Sequence, residues 1–455
     1  MNDLLKHPKG GIILLMLNVF VINLSGQTPR SDNAEDRNSR YKIIMNAENL
    51  RHHYGMDSAM LHLEVQRKQE ADSNSEWRHS YYERDSSFSK VTSLDLSFMN
   101  LTAVPDFVYK YKNLKHLNLS FNKISELPRQ LRELKHLEHI DLSGNGLDAS
   151  DFRSAKLTQI KSVNLSWNNL SVLPKSIRKL KKSTDVTMSF NQFNAVPKRI
   201  KKFKFLEHLA LNANNLIHFG DQLKYTKKLN ELNFLEARGS NITKVPDEIS
   251  YLDNLTRLDL SNNKIGQIST QIGALDSLLE LGLHNNQLEA IPKEVYDCQA
   301  LMSLTLQKNN LRRLPEGISK LQNILSLFLQ YNELEYLPED IGHMNVEEIY
   351  VYHNKLTSLP ASFANLSMLK HIRINDTYIA EFPSQLLGLD KLESIDFTDS
   401  DISVLPREIL EMEGLALLSF REARIDFFDP RNNDYDQLME KLYDKGVKLS
   451  IIDYE

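Results

Sequence analysis

The chain has 455 residues, 41% of them apolar and 25% charged, with a net charge of −5. That composition excludes a chain too polar to fold and fits a protein with an extensive core. A single cysteine excludes a disulfide framework.

In chain order, residues 1–27 read as a secretory signal peptide. Lys6 and Lys9 precede the apolar run Gly11 to Phe20, extended by Val21 and Ile22, and the small residues Ser25 and Gly26 follow. The run falls short of the ~20 apolar residues a spanning helix needs, so export to the periplasm, cell surface or medium is expected. An uncleaved anchor is the alternative, and the one reading that would place the chain at a membrane. Residues 28–90 are expected to form a linker and a helical N-terminal cap. Thr28 to Arg40 is polar. Ile43, Ile44, Ala47 and Leu50, then Met56, Ala59, Met60 and Leu63, are spaced for two amphipathic helices broken near Gly55. The histidines here (His52, His53, His62, His79) lack a metal-ligand spacing, so no metal or other cofactor is expected.

Residues 91–430 carry about 15 repeats, starting at Val91, Leu114, Leu137, Ile160, Ser183, Leu206, Leu232, Leu255, Leu278, Leu301, Ile324, Val346, Leu369, Leu392 and Leu415. The step is 23 residues, except for a sixth repeat of 26 and an eleventh of 22. The tenth, Leu301 to Asn323, shows the pattern: apolar side chains at Leu301, Leu304, Leu306, Leu311, Leu314, Ile318 and Leu321, with Asn309 ninth and Pro315 fifteenth. Alternation over the first six residues predicts a short strand, and the proline predicts a turn. The Ile318–Leu321 spacing predicts one helical or 3₁₀ turn on the opposite side. No repeat can bury its leucines alone, so the repeats must stack.

The pattern resembles the leucine-rich repeat family, in its LxxLxLxxNxLxxLPxxIxxLxx class, known from intracellular Ras-group scaffolds, plant relatives and bacterial proteins. The resemblance implies an α/β solenoid: a horseshoe with a concave parallel β-sheet and convex turns and short helices, closed by a helical N-terminal cap and a helix-strand C-terminal cap. Eukaryotic extracellular members usually carry disulfide-bonded caps, so an exported chain without them points to a bacterial exterior or periplasm. Cys298 falls where other repeats place leucine and reads as core.

The ninth position holds Asn122, Asn145, Asn168, Asn191, Asn214, Asn263, Asn286, Asn309, Asn332 and Asn354. A buried amide both donates and accepts, so this column is expected to satisfy backbone groups where the strand ends. Met99, Ser240, Thr377, Ser400 and Ala423 replace it, which predicts looser packing or a ladder carried on hydroxyls.

The resemblance places residues three, five, seven and eight of each repeat on the concave face. The aromatics Phe98, Phe121, Trp167 and Phe190 share the eighth position and are expected to stack there. Phe328, Tyr331, Tyr350, Tyr352 and His353 cluster in two successive repeats and are candidates for partner contact, with stacking among themselves as the alternative. Beside them lie Arg373, Asp376, Asp396, Asp399, Asp401, Arg421, Glu422 and Arg424. The carboxylate column Asp376, Asp399 and Glu422 would repel itself unless paired with Arg373 and Arg421, or with bound Ca²⁺ or a basic partner loop.

Lys156 to Lys228 holds 15 basic residues against 3 acids, a balance of 15 − 3 = +12. Lys175, Arg178, Lys179, Lys198, Arg199 and Lys202 follow the turns and read as a convex basic patch, either a solvated face or a site for a glycan or anionic surface. Nucleic acid is not indicated, because the aromatics belong to another face. The enlarged sixth repeat predicts an irregularity near Phe219 to Ser240. Residues 431–455 are expected to form a C-terminal cap: a helix from Asn432 to Lys445 with Leu438, Met439 and Leu442 inward, stopped by Gly446, then a strand from Val447 to Ile452.

No P-loop, H-E-x-x-H, G-x-S-x-G or kinase pattern occurs, and no catalytic residue is expected. The chain reads as a non-catalytic exported scaffold that binds a protein partner on its concave face, weighted toward repeats eleven to fourteen. An envelope or adhesion protein binding glycan through the basic patch is the second reading, and a secreted effector enzyme the third.

Overall fold

A computed structural model describes residues 88–152, 157–175, 180–420 and 434–450. The expected signal peptide, linker and N-terminal helices lie outside the described residues. All the described residues fall in one unit, Val65–Glu455. In every repeat the third to fifth residues form a three-residue strand, from Ser93–Asp95 in the first to Leu417–Ser419 in the fifteenth. These strands pair in parallel in repeat order, each residue facing its equivalent one repeat on: Leu94 faces Leu117, Leu281 faces Leu304, Ile372 faces Ile395. A sixteenth strand, Lys448–Ser450, pairs with Leu417–Ser419 after the helix Tyr435–Asp444, which buries Leu438 and Leu442. The fold is an α/β solenoid built on a parallel sheet.

The turn layer follows from the proline column. Pro105, Pro197, Pro292 and Pro360 each stand immediately before a 3₁₀ helix, with φ between −64° and −72°. The ring fixes that angle, and a missing N–H costs nothing at a helix start. In the tenth repeat the helix is Ile318–Lys320, with Ile318 facing inward as its spacing predicted. Leu301, Leu304, Leu306, Leu311, Leu314, Ile318 and Leu321 are all buried, each worth roughly 2 kcal/mol of transfer free energy. Cys298 is buried among them.

The asparagines form the expected ladder. Asn309 is typical: its Nδ2 donates to the carbonyls of Leu283 (3.0 Å), one repeat back, and Leu306 (3.0 Å) in its own repeat. Its Oδ1 accepts from the N–H of Leu288 (3.1 Å). Each amide therefore ties two repeats together. Hydroxyls carry part of the ladder where asparagine is missing. The Ser240 hydroxyl lies 3.0 Å from the Leu211 carbonyl, and Thr377 donates to Ile374 (2.8 Å). Ala423 lies outside the described residues.

The enlarged sixth repeat keeps its sheet register, with His208 facing Phe234. Its extra residues enter the turn layer, where the 3₁₀ helix Gly220–Tyr225 starts from Phe219 and not from a proline. The expected irregularity is thus confined to one side. A second, two-stranded sheet, Lys244–Val245 with Gln267–Ile268, joins the seventh and eighth repeats.

Candidate functional site

The eighth position turns the chain out of the strand in the left-handed region. Phe98, Phe121, Trp167, Phe190, Ala213, Asn262, Asn285, Lys308, Tyr331, His353, Asp376 and Asp399 all have φ between 48° and 59°, and glycine takes the place at Gly144 and Gly239. A left-handed non-glycine residue costs about 1 kcal/mol or more, and the stack supplies the compensation. Phe98 lies parallel to Phe121 at 4.7 Å, and Trp167 to Phe190 at 3.8 Å. At Gly144 a side chain would strike the Phe121 ring, its Cβ meeting the ring edge at 2.6 Å. In the first five repeats the seventh position departs from the concave placement expected of it, with Ser97, Ser120, Ser143, Ser166 and Ser189 buried, whereas Arg238, His284, Gln307, Gln330 and Tyr352 at the same position are half-buried.

Repeats eleven to fourteen bring the candidate partner residues together. Phe328, Tyr350, Arg373 and Asp396 occupy the fifth position of successive strands and face one another in register. Phe328 stacks on Tyr350 at 5.2 Å and 3°, and the Arg373 guanidinium lies over the Tyr350 ring at 5.4 Å. One step outward, Tyr331 stacks on His353 at 4.2 Å, and Tyr352 stands edge-on to both. The Lys308 ammonium lies over Tyr331 at 5.5 Å. Burial and the Glu348 carboxylate, which accepts from its hydroxyl at 3.2 Å, push the Tyr350 pKa up. Tyr331 is 43% exposed and Tyr350 half-buried, so the rings stack on one another and still present their edges.

The acidic column is paired differently from the expectation. Asp376 is bonded to His353, one repeat back in the same column, while Arg373 is drawn over the Tyr350 ring and pairs with no carboxylate among the described residues. Asp396 accepts from the Thr398 N–H at 3.1 Å, and Asp399 is exposed. Arg421, Glu422 and Arg424 lie outside the described residues. Among the described residues no group of three or more His, Cys, Asp or Glu side chains could hold a metal.

A second charged cluster on the same sheet escaped the sequence reading. Asp185, His208, Phe234, Arg257 and Glu280 follow one another in register at the third position. His208 Nδ1 is 2.9 Å from Asp185, its Nε2 is 3.5 Å from Glu236, and its ring stacks on Phe234 at 4.6 Å. Asn212 donates to Glu236 (2.6 Å), and Arg238 to Asp259 (2.7 Å). Burial opposes charge on His208, but Asp185 and Glu236 outweigh it and raise its pKa from 6.5 to about 9. Partial burial likewise opposes charge on Glu236, yet His208, Arg238 and Asn212 hold it down at about 2. The available signal was opposite charge at equal position one repeat apart.

That pair fixes a pH dependence. With a folded pKa of about 9 against 6.5 unfolded, the His208 contribution is complete below 6.5 and lost as pH rises through 9. A His208→Gln variant should therefore be less stable than the native chain by on the order of 2 kcal/mol near pH 6 in urea unfolding, screening at Asp185 included. The difference should vanish above about pH 9. A gap that stays constant across that range would mean that His208 is not charged in the folded chain.

The basic patch is partly pinned. Lys175, Lys198 and Lys202 are exposed, Arg199 donates to the Leu173 carbonyl at 2.6 Å, and Arg178 and Lys179 lie outside the described residues. Among the described residues no helix is long and apolar enough to cross a membrane.

Leucine-rich repeat family models match residues 89–147 and 254–275. The chain is similar to the solved structure of a leucine-rich repeat protein of Leptospira interrogans, with 26% identity and a TM-score of 0.66, covering 80% of this chain and 97% of that one. It is also similar in fold to the crystal structure of a TDR receptor, with 24% identity and a TM-score of 0.55, covering 74% of this chain and 64% of that one. No curated protein sequence matches it. The chain is a leucine-rich repeat protein.

Proposed function

We propose that the chain is a non-catalytic scaffold, exported by a bacterial cell, that grips a protein partner with the sheet face of repeats eleven to fourteen. The observation that carries this reading is the in-register row Phe328, Tyr350, Arg373 and Asp396, flanked by Tyr331, Tyr352 and His353. Half-exposed aromatics beside a guanidinium and a carboxylate are the composition that binding hot spots favour. Leucine-rich repeat folds typically serve as binding scaffolds, in keeping with a chain whose repeats fill most of its length. Export rests on the leader-like residues 1–27, and a bacterial source on the absence of a disulfide framework and on the likeness to the Leptospira protein.

The test is capture of partners on the full chain and on a Tyr350→Ala/Tyr352→Ala variant, followed by affinity measurement on what the native chain retains. The double substitution should weaken binding by about 2 kcal/mol or more, roughly thirtyfold. Native affinity in the variant would remove the site.

A further inference from the structure

Repeats four to six form a lysine-lined groove in the turn layer, with a volume of about 690 Å³. Its walls are Lys181, Lys201, Lys202, Lys204, Lys224, Lys227 and Lys228, with Tyr225 as the one remaining lining residue. Most of these lysines were no part of the basic patch read from the sequence. The turn layer brings them together because the lengthened sixth repeat sets the helix Gly220–Tyr225 and its following turn against the helix Lys198–Lys202.

All seven lysines are exposed, and no carboxylate lines the groove. The lysine ion pairs found among the described residues involve other positions: Lys112, Lys161, Lys320, Lys355 and Lys370. Seven like charges around one cavity repel one another and raise the local concentration of counter-anions. Elsewhere the chain offsets such charge with carboxylates one repeat away, as Lys161 does with Glu138 at 2.8 Å. Here that compensation is missing.

We propose that this groove binds an anionic polysaccharide, a linear chain bearing sulfate or carboxylate groups. The lysines line a concavity, which a linear polymer can enter and a flat lipid surface cannot. The lining holds no guanidinium for bidentate recognition. Its only ring, Tyr225, already has the Lys201 and Lys224 ammoniums over it at 4.8 and 5.6 Å, which leaves no platform for stacking bases. Ammonium point charges on flexible stems suit repeated anions read for charge alone. The site is independent of the partner face.

The test uses the full chain and a fluorescent heparin oligosaccharide, with dextran, a single-stranded oligonucleotide and phosphatidylserine vesicles as parallel arms. A Lys201→Gln/Lys224→Gln/Lys228→Gln variant should bind heparin about a hundredfold more weakly than the native chain, at roughly a factor of five per lysine. The matching Lys→Arg variant should retain binding, and native binding should fall steeply with added salt. A control that removes three exposed lysines elsewhere, Lys264→Gln/Lys308→Gln/Lys355→Gln, should bind as the native chain does. Equal loss in both glutamine variants, no loss in the groove variant, or tighter binding to the oligonucleotide or the vesicles than to heparin would overturn the proposal. Because the substituted side chains are exposed, unchanged thermal unfolding is expected alongside the loss.

Discussion

Asn263→Ala should destabilise the chain by about 4 kcal/mol. The side chain is 8% exposed and serves five backbone groups. Its Oδ1 accepts from the N–H groups of Ser240 (2.7 Å) and Ile242 (3.1 Å), and its Nδ2 donates to the carbonyls of Ala237 (2.8 Å), Leu260 (2.8 Å) and Ser261 (3.2 Å). Alanine leaves all five without this partner in a place that water reaches poorly, at roughly 1–3 kcal/mol for each group that finds no other. The neighbouring repeat offers little relief, since Ser240 already stands where its own asparagine would be. Asn263→Asp should fail as well, because it keeps the acceptor but removes the donor and buries a charge. Thr377→Ala is the contrast: one donated bond is lost, and about 1 kcal/mol with it. Urea unfolding measures all three. A solenoid is held by nearest-neighbour contacts, so a break at the eighth repeat should also separate the unfolding of the two halves into distinct transitions. A loss below about 1 kcal/mol for Asn263→Ala would show that the amide column is not what joins the repeats.

How far the sequence could be read depends on whether a property repeats in identity or only in geometry. Leu304, Asn309 and Pro315 are the same residue types at the same offsets in repeat after repeat, because burial, amide pairing and a fixed φ each admit few side chains. The strand, the ladder and the 3₁₀ turn were legible for that reason. The left-handed eighth position was not. Phe121, Ala213, Lys308 and Asp399 share one backbone conformation with no common chemistry, since the turn fixes their φ whatever the side chain. The aromatic cluster of repeats eleven and twelve was visible as composition, yet its pairing was not: Asp376 found His353, and Arg373 found a ring. The His208 cluster was hidden differently. Asp185, His208 and Glu236 are scattered singly along the chain, and only the parallel register, with the longer step of the sixth repeat, makes neighbours of them. The lysine groove needed the turn layer itself, where residues as far apart in the sequence as Lys181 and Lys228 line one cavity.

Gly342→Ala is the second large effect, expected to cost about 3 kcal/mol, at the upper end of what overpacking costs. Gly342 lies in the 3₁₀ helix Glu339–His343 of the eleventh repeat, the one that is a residue short. With that residue missing, its turn closes on the next helix, Ala361–Asn365, and a Cβ at 342 would run into the Ser362 backbone, 2.5 Å from the carbonyl carbon. A flexible side-chain tip could swing aside; a carbonyl inside a hydrogen-bonded turn cannot, so the two helices must part. Gly388→Ala is the control. A Cβ there meets nothing within 4 Å, and the change should be neutral or stabilising by up to about 1 kcal/mol through the unfolded chain. Thermal unfolding of both variants decides the matter, and equal midpoints would show that the short repeat is not closed on its neighbour. The same comparison bears on the proposed partner face, because Phe328 and Tyr350 belong to these two repeats. Their strands are held by the backbone register on the opposite side of the solenoid from Gly342. Partner affinity should therefore survive Gly342→Ala at temperatures where the variant is folded, and fall by roughly thirtyfold in Tyr350→Ala/Tyr352→Ala where stability is nearly native.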